Sequence, residues 1–165
     1  GTDEAWFSKP FKTRMIRDAE WFSSAMFFLS GCLEQMRTLQ QRREPLIIMD
    51  RSVWSTLAVH AAQDADRLLR LIEMLKPIAS EIRAPHLTLV LEASFATCQE
   101  RIGRKQGEAL ALDRLTANEE FHGREKEFYR WLATQVPSVA FLDVNGDAPK
   151  ELARKTIELC HLRRC

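Results

Sequence analysis

The chain has 165 residues, enough for one domain with a sizeable core. Hydrophobic residues at 45% and charged residues at 28% exclude disordered and fibrous classes. Lys and Arg number 24 against 23 Asp and Glu, and a balance of +1 argues against a nucleic-acid polymer or an anionic membrane surface as partner.

Ala19 to Gln41 is predicted as a long amphipathic helix, with Phe22, Met26, Leu29, Leu33, Met36 and Leu39 at i, i+3, i+4 spacing. Leu46–Met49 follows as a first buried strand. Ser52 to Ala61 is a shorter helix, and Asp66 to Ser80 another, with Leu68, Leu69, Ile72 and Leu75 inward. Leu87–Leu91 is the second strand, and Ser94 then caps a helix running to about Arg104. The stretch 103–112 is the one long irregular segment. It holds Gly103, Arg104, Lys105 and Gly107, and reads either as a solvated loop or as a lid over a polyphosphate. Asp113 to Val136 is helical with a potential break at Gly123, Val139–Leu142 is the third strand, and Asp147 caps a last helix with Pro149 in its first turn.

None of the three apolar runs alternates with polar residues, the pattern of parallel strands covered on both faces. Pro45, Pro85 and Pro137 introduce them, and Asp50, Glu92 and Asp143 stand at their C-terminal ends. Strands alternating with helical segments predict an α/β fold with a parallel sheet, in a single domain over 1–165.

No apolar run approaches the roughly 20 residues of a spanning helix, and the first residues carry no signal-peptide pattern. Cys32, Cys98, Cys160 and Cys165 are scattered without a C-x-x-C pair, as for free thiols in a reducing compartment, so a cytoplasmic protein is expected. Cys160, His161 and Cys165 lie close together. A metal site needs about four ligands, and a helix cysteine before a frayed terminus is the simpler account.

Ligands of open parallel sheets bind outside the carboxyl ends of the strands. There the first strand presents Asp50-Arg51-Ser52-Val53-Trp54-Ser55-Thr56. Asp50 suits Mg²⁺ or its water shell, Arg51 offers a bidentate fork for phosphate, and Ser52, Ser55 and Thr56 can donate to an anion at a helix N-terminus. The competing account is a strand-end acid capping the next helix beside a surface arginine.

Asp50 to Ala58 resembles the D-R-x-x-x-S-[TN]-x-A segment of thymidylate kinases, a branch of the P-loop nucleoside monophosphate kinases. Pro85 to Ser94 resembles that family's P-D-L-T-x-x-L-D-x-S strand and turn. Arg101 to Arg104 is similar to its R-x-x-R lid entrance, and Asp113-Arg114, Glu119-Glu120-Phe121 and Tyr129 are similar to the helix after the lid. Val139–Asp143 resembles its terminal strand.

The resemblance implies a three-layer α/β fold, a parallel sheet flanked by helices, and transfer of the γ-phosphoryl group of ATP to a (deoxy)nucleoside monophosphate with Mg²⁺. A deoxynucleoside kinase, with a similar acid-Arg-Ser strand end, is the alternative within enzymes. Asp50 would then assist the metal shell, and Arg51 would hold the acceptor phosphate. Ser52, Ser55 and Thr56 would lie near the acceptor, and Arg101, Arg104 and Lys105 would reach over the transferring group from the lid. Phe27 or Phe28 falls where the family stacks an aromatic on the acceptor base, with core packing as the competing account. The family also implies a homodimer through helix 19–41.

The sequence departs from the family as well. It contains no G-x-x-x-x-G-K-[ST], the loop whose amides cradle ATP phosphates, in keeping with only six glycines. Either the strand and loop belong to residues before Gly1, or the chain is a P-loop-less relative that binds nucleotides or a partner without catalysis. Cys32 or Leu33 stands where the family has a base-reading arginine, and Val59 where a tyrosine is usual. His60 is expected to be packed or capping, and His122 and His161 solvent-facing. Trp6, Trp21, Trp54 and Trp131 are too dispersed for a stacking platform, although Trp54 falls inside the acceptor loop.

Overall fold

A computed structural model describes residues 9–44, 46–82, 85–104, 118–146 and 148–162. Its helices are α1 (Lys9–Arg17), α2 (Trp21–Gln40), α3 (Val53–Gln63), α4 (Ala65–Leu75), α5 (Phe95–Gly103), α6 (Glu119–Gln135) and α7 (Pro149–Leu162). A 3₁₀ segment over Lys76–Glu81 follows α4, and two strands, β1 (Thr88–Glu92) and β2 (Val139–Asp143), complete the described elements. The described residues are mostly helical, with a small parallel sheet, which is compatible with an α/β fold. The described residues divide into two compact units, one up to Ile82 and the other from Pro85 onward.

The first unit is helical. α2 buries Ala25, Phe27, Leu29 and Met36, while Phe22 and Met26 are exposed. Of the predicted inward positions, Leu29 and Met36 are buried, Leu33 and Leu39 are half-buried, and Phe22 and Met26 face outward. On α4, Leu71 is fully buried and, of the predicted inward residues, Leu69 alone is exposed, at 60%. Leu68, Ile72 and Leu75 are half-buried, so the core stripe is 68, 71, 72, 75. Asp64 accepts from Asp66 N at 2.9 Å and caps α4. α1 has no counterpart among the predicted elements; it is held by Phe11 packing edge-on against Phe27 at 5.4 Å.

Leu46–Met49 does not form a strand. Leu46 is 61% exposed and Ile48 84%, and neither pairs with another segment among the described residues. An apolar run has strand character only when a neighbour supplies the ladder, and none does so here.

The second unit holds the other two predicted strands. β1 and β2 pair in parallel, with Thr88 opposite Val139 and Glu92 opposite Asp143, so both acids end at the same edge. β2 is well buried, but Leu91 on β1 is 60% exposed, so β1 is not covered on both faces as predicted. Ala93, Leu142 and Val144 form a core against Leu89, Cys98, Leu152 and Leu159. Ser94 caps α5 as predicted, accepting from Thr97 N at 3.1 Å. α6 runs unbroken through Gly123, capped by Asn118. The predicted cap Asp147 and the stretch 105–117 lie outside the described residues.

Candidate functional site

The helical unit contains a cavity of about 820 Å³. α3 lines it with Ser52, at the helix start, and then Ser55, Thr56, Val59, His60 and Gln63. These recur every three or four residues and so share one helix face. The faces turned into the core carry Val53, Leu57, Ala58 and Ala62. α2 supplies Trp21, Ser24, Phe28, Cys32 and Gln35, and α1 supplies Lys12 and Ile16. The Trp21 ring lies 5.9 Å from that of His60, near the end of α3, while Cys32 lies beside Thr56, near its start. The two helices therefore run in opposite senses along the trough. Eleven residues of α3 give it a length of about 16 Å.

One end carries Asp50, Arg51 and Ser52. Asp50 and Arg51 both line the cavity and are exposed, and neither has an ion pair or hydrogen bond among the described residues. Arg51 sits at φ 71, the left-handed region that costs a non-glycine residue about 1–2 kcal/mol. Ser52 occupies the N-cap position of α3 without making a side-chain cap bond. The Ser55 amide donates to the Ser52 carbonyl at 3.0 Å, which leaves the Ser52 hydroxyl and the amides of Val53 and Trp54 where the macrodipole favours negative charge.

The other end is aromatic and polar. Arg67 stacks over Trp21 at 5.3 Å and donates to Gln63 Oε1 at 2.6 Å. His60 is only 5% exposed, and burial, followed by the charge of Arg67, lowers its pKa to about 4, so its ring is neutral at ordinary pH. Burial raises the Cys32 thiol, opposed by Thr56 beside it; a thiol held protonated in this way is a poor nucleophile.

Six residues singled out in the sequence thus share one cavity: Phe28, Asp50, Arg51, Ser52, Ser55 and Thr56. Phe27 instead packs in the core against Phe11 and Phe28. Trp54 does not line the cavity, and its Nε1 is sealed without a partner. Lys12, Trp21, Gln63 and Arg67 were not marked by the motifs. The signal for α3 was the polar stripe 52, 55, 56, 60, 63, readable as one face once the helix is drawn.

Arg101 and Arg104 belong to the second unit. Arg101 donates to the Val144 carbonyl at 2.7 Å, and Arg104 pairs with Glu100. Lys105 lies outside the described residues. At the carboxyl edge of the sheet, Glu92 faces Lys126 at 3.6 Å and Arg130 at 3.8 Å. Asp143 accepts from Asn145. His122, expected at the surface, is half-buried with Nε2 3.2 Å from the Ala93 carbonyl, because α6 lays it against Phe95. His161 is exposed as expected.

Among the described residues no three His, Cys, Asp or Glu side chains gather as a metal site. Asp50 is a single carboxylate, which fits Mg²⁺ held mainly through water and substrate phosphates. No described helix is long and apolar enough to cross a membrane. Comparison of the chain with family models, with curated proteins and with solved structures finds no match.

Proposed function

We propose that the helical unit carries the acceptor site of a nucleotide kinase of thymidylate-kinase type, which transfers the γ-phosphoryl group of ATP to a (deoxy)nucleoside monophosphate. The observation that carries this reading is the single cavity gathering Phe28, Asp50, Arg51, Ser52, Ser55 and Thr56. Arg51 has no partner among the described residues and offers its fork to the acceptor phosphate. Ser52 and the first amides of α3 add donors. Phe28 gives a flat apolar surface for a base. Phosphoryl transfer is mostly positioning and charge neutralisation. Mg²⁺, when bound, would supply neutralisation at the phosphates, with Asp50 ordering its water shell.

A catalytically silent nucleotide-binding module is the second reading. It is favoured by the engagement of Arg101 and Arg104 within their own unit. Two measurements decide. Titration of the full chain with nucleoside monophosphates, followed by the fluorescence of Trp21 in the cavity wall, should give saturable binding at least about tenfold tighter than the matching nucleoside. If no monophosphate binds, both readings fall. ADP formation with ATP, Mg²⁺ and the same panel separates kinase from silent module.

A further inference from the structure

His60 is the most deeply buried polar residue of the cavity wall, and its chemistry is unused. Its Nδ1 is sealed from solvent with no hydrogen-bond partner, and no bond is made by its other nitrogen among the described residues. The ring is held edge-on to Trp21 at 5.9 Å, and Trp21 is in turn covered by Arg67, so its direction is fixed by packing. A neutral imidazole has one N–H. Placing that proton on Nε2 avoids sealing an N–H away from every acceptor, since a buried unmade donor is costly. Phe28 lies on α2 between the Trp21–His60 and Cys32–Thr56 contacts. A planar ring laid against Phe28 therefore has Thr56 toward one edge and His60 toward the other.

We propose that His60 reads the ligand: its Nε2–H donates to an acceptor, a carbonyl oxygen or ring nitrogen, on the edge of a heteroaromatic ring whose phosphate is held at Arg51. This rests on the acceptor-site reading above and adds the residue that distinguishes base-bearing ligands from base-free ones.

The test uses the full chain, the five common nucleoside monophosphates, and ribose 5-phosphate as the base-free control. His60→Phe keeps a ring against Trp21 and removes both nitrogens. It should weaken the best-bound monophosphate about tenfold and leave ribose 5-phosphate unchanged. In the wild-type chain the His60 Nε2 resonance should shift on adding that monophosphate and not on adding ribose 5-phosphate, a readout independent of whether the variant folds. Unchanged affinities in His60→Phe together with an unmoved Nε2 resonance overturn the inference while leaving the acceptor site standing. A wild-type chain that binds ribose 5-phosphate as tightly as every monophosphate overturns it too. A chain that binds no monophosphate at all overturns both.

Discussion

Two turns in this chain share one grammar, an acid, a spacer and a serine ahead of a helix. Asp50-Arg51-Ser52 leads into α3, and Glu92-Ala93-Ser94 leads into α5. The second is closed. Ser94 caps its helix, its amide donates to Asn145 Oδ1 at 2.8 Å, and Glu92 faces two cations. The first is open: Ser52 makes no cap bond, Asp50 and Arg51 have no described partner, and Arg51 holds a left-handed backbone. The closed turn spends its polar groups on its own unit. The open turn leaves them facing a cavity, at a backbone cost, which is the pattern expected where a ligand completes the site.

Arg51 should break this comparison most sharply. Arg51→Ala should weaken monophosphate binding by about 10–100-fold, the loss of a charge-assisted pair of bonds. Arg51→Gly should weaken it as much yet leave the chain as stable or more stable, by up to about 1 kcal/mol, because glycine adopts φ 71 without strain. Titration and urea unfolding of the two variants check this, and a glycine variant less stable than the alanine one would remove the strain argument.

Asn145 is the counterpart in the closed turn. Its Oδ1 accepts from Ser94 N and Thr97 Oγ1, and its own amide and Nδ2 donate to Asp143. Asn145→Ala should cost about 1–3 kcal/mol in urea unfolding, since it orphans several groups at once. A change below about 0.5 kcal/mol would mean the turn is closed by water as readily as by Asn145.

Much of this was legible and some was not, for physical reasons. Leu87–Leu91 and Val139–Leu142 are found within a residue because each apolar run has the other as its neighbour. Leu46–Met49 has the same composition and no ladder, so composition misled. Most predicted inward positions of α2 and α4 hold, Leu29 and Met36 among them; the exceptions, Phe22, Met26 and Leu69 exposed and Leu71 buried, arise because both helices are apolar on more than one side and only packing selects among those positions. Of the cavity's lining, the short-range motif contains Asp50, Arg51, Ser52, Ser55 and Thr56. The far end, Trp21, His60, Gln63 and Arg67, is assembled from three helices, and no spacing along the chain announces it.

The far end has its own signature in pH. Unfolded, His60 titrates near 6.5; folded, burial holds it to about 4. The unfolded chain therefore binds the proton first. Stability from this group is complete above pH 6.5 and falls as pH drops from 6.5 toward 4. Urea midpoints at pH 7.5 and 5.0 should show this loss in the wild type and less of it in His60→Phe. Arg67→Gln should retain most of it, because burial outweighs the Arg67 charge. Parallel behaviour of wild type and His60→Phe would mean that the ring is hydrated in the folded chain.

The smallest effect separates the two turns most cleanly. Ser94→Ala removes a made cap and should cost about 1 kcal/mol, whereas Ser52→Ala removes a hydroxyl that caps nothing and should change stability by only a few tenths. Binding should run the other way, with Ser52→Ala weakening monophosphate affinity a few-fold through the loss of one neutral donor. Matched unfolding and titration of the pair therefore ask one question of two serines in the same local sequence. If Ser52→Ala destabilises as much as Ser94→Ala, the hydroxyl is a cap in solution and the turn before α3 is closed like its counterpart. If it does not, identical local chemistry has been put to two uses, decided by whether the residues around it, Asn145 in one unit and the cavity in the other, supply a partner.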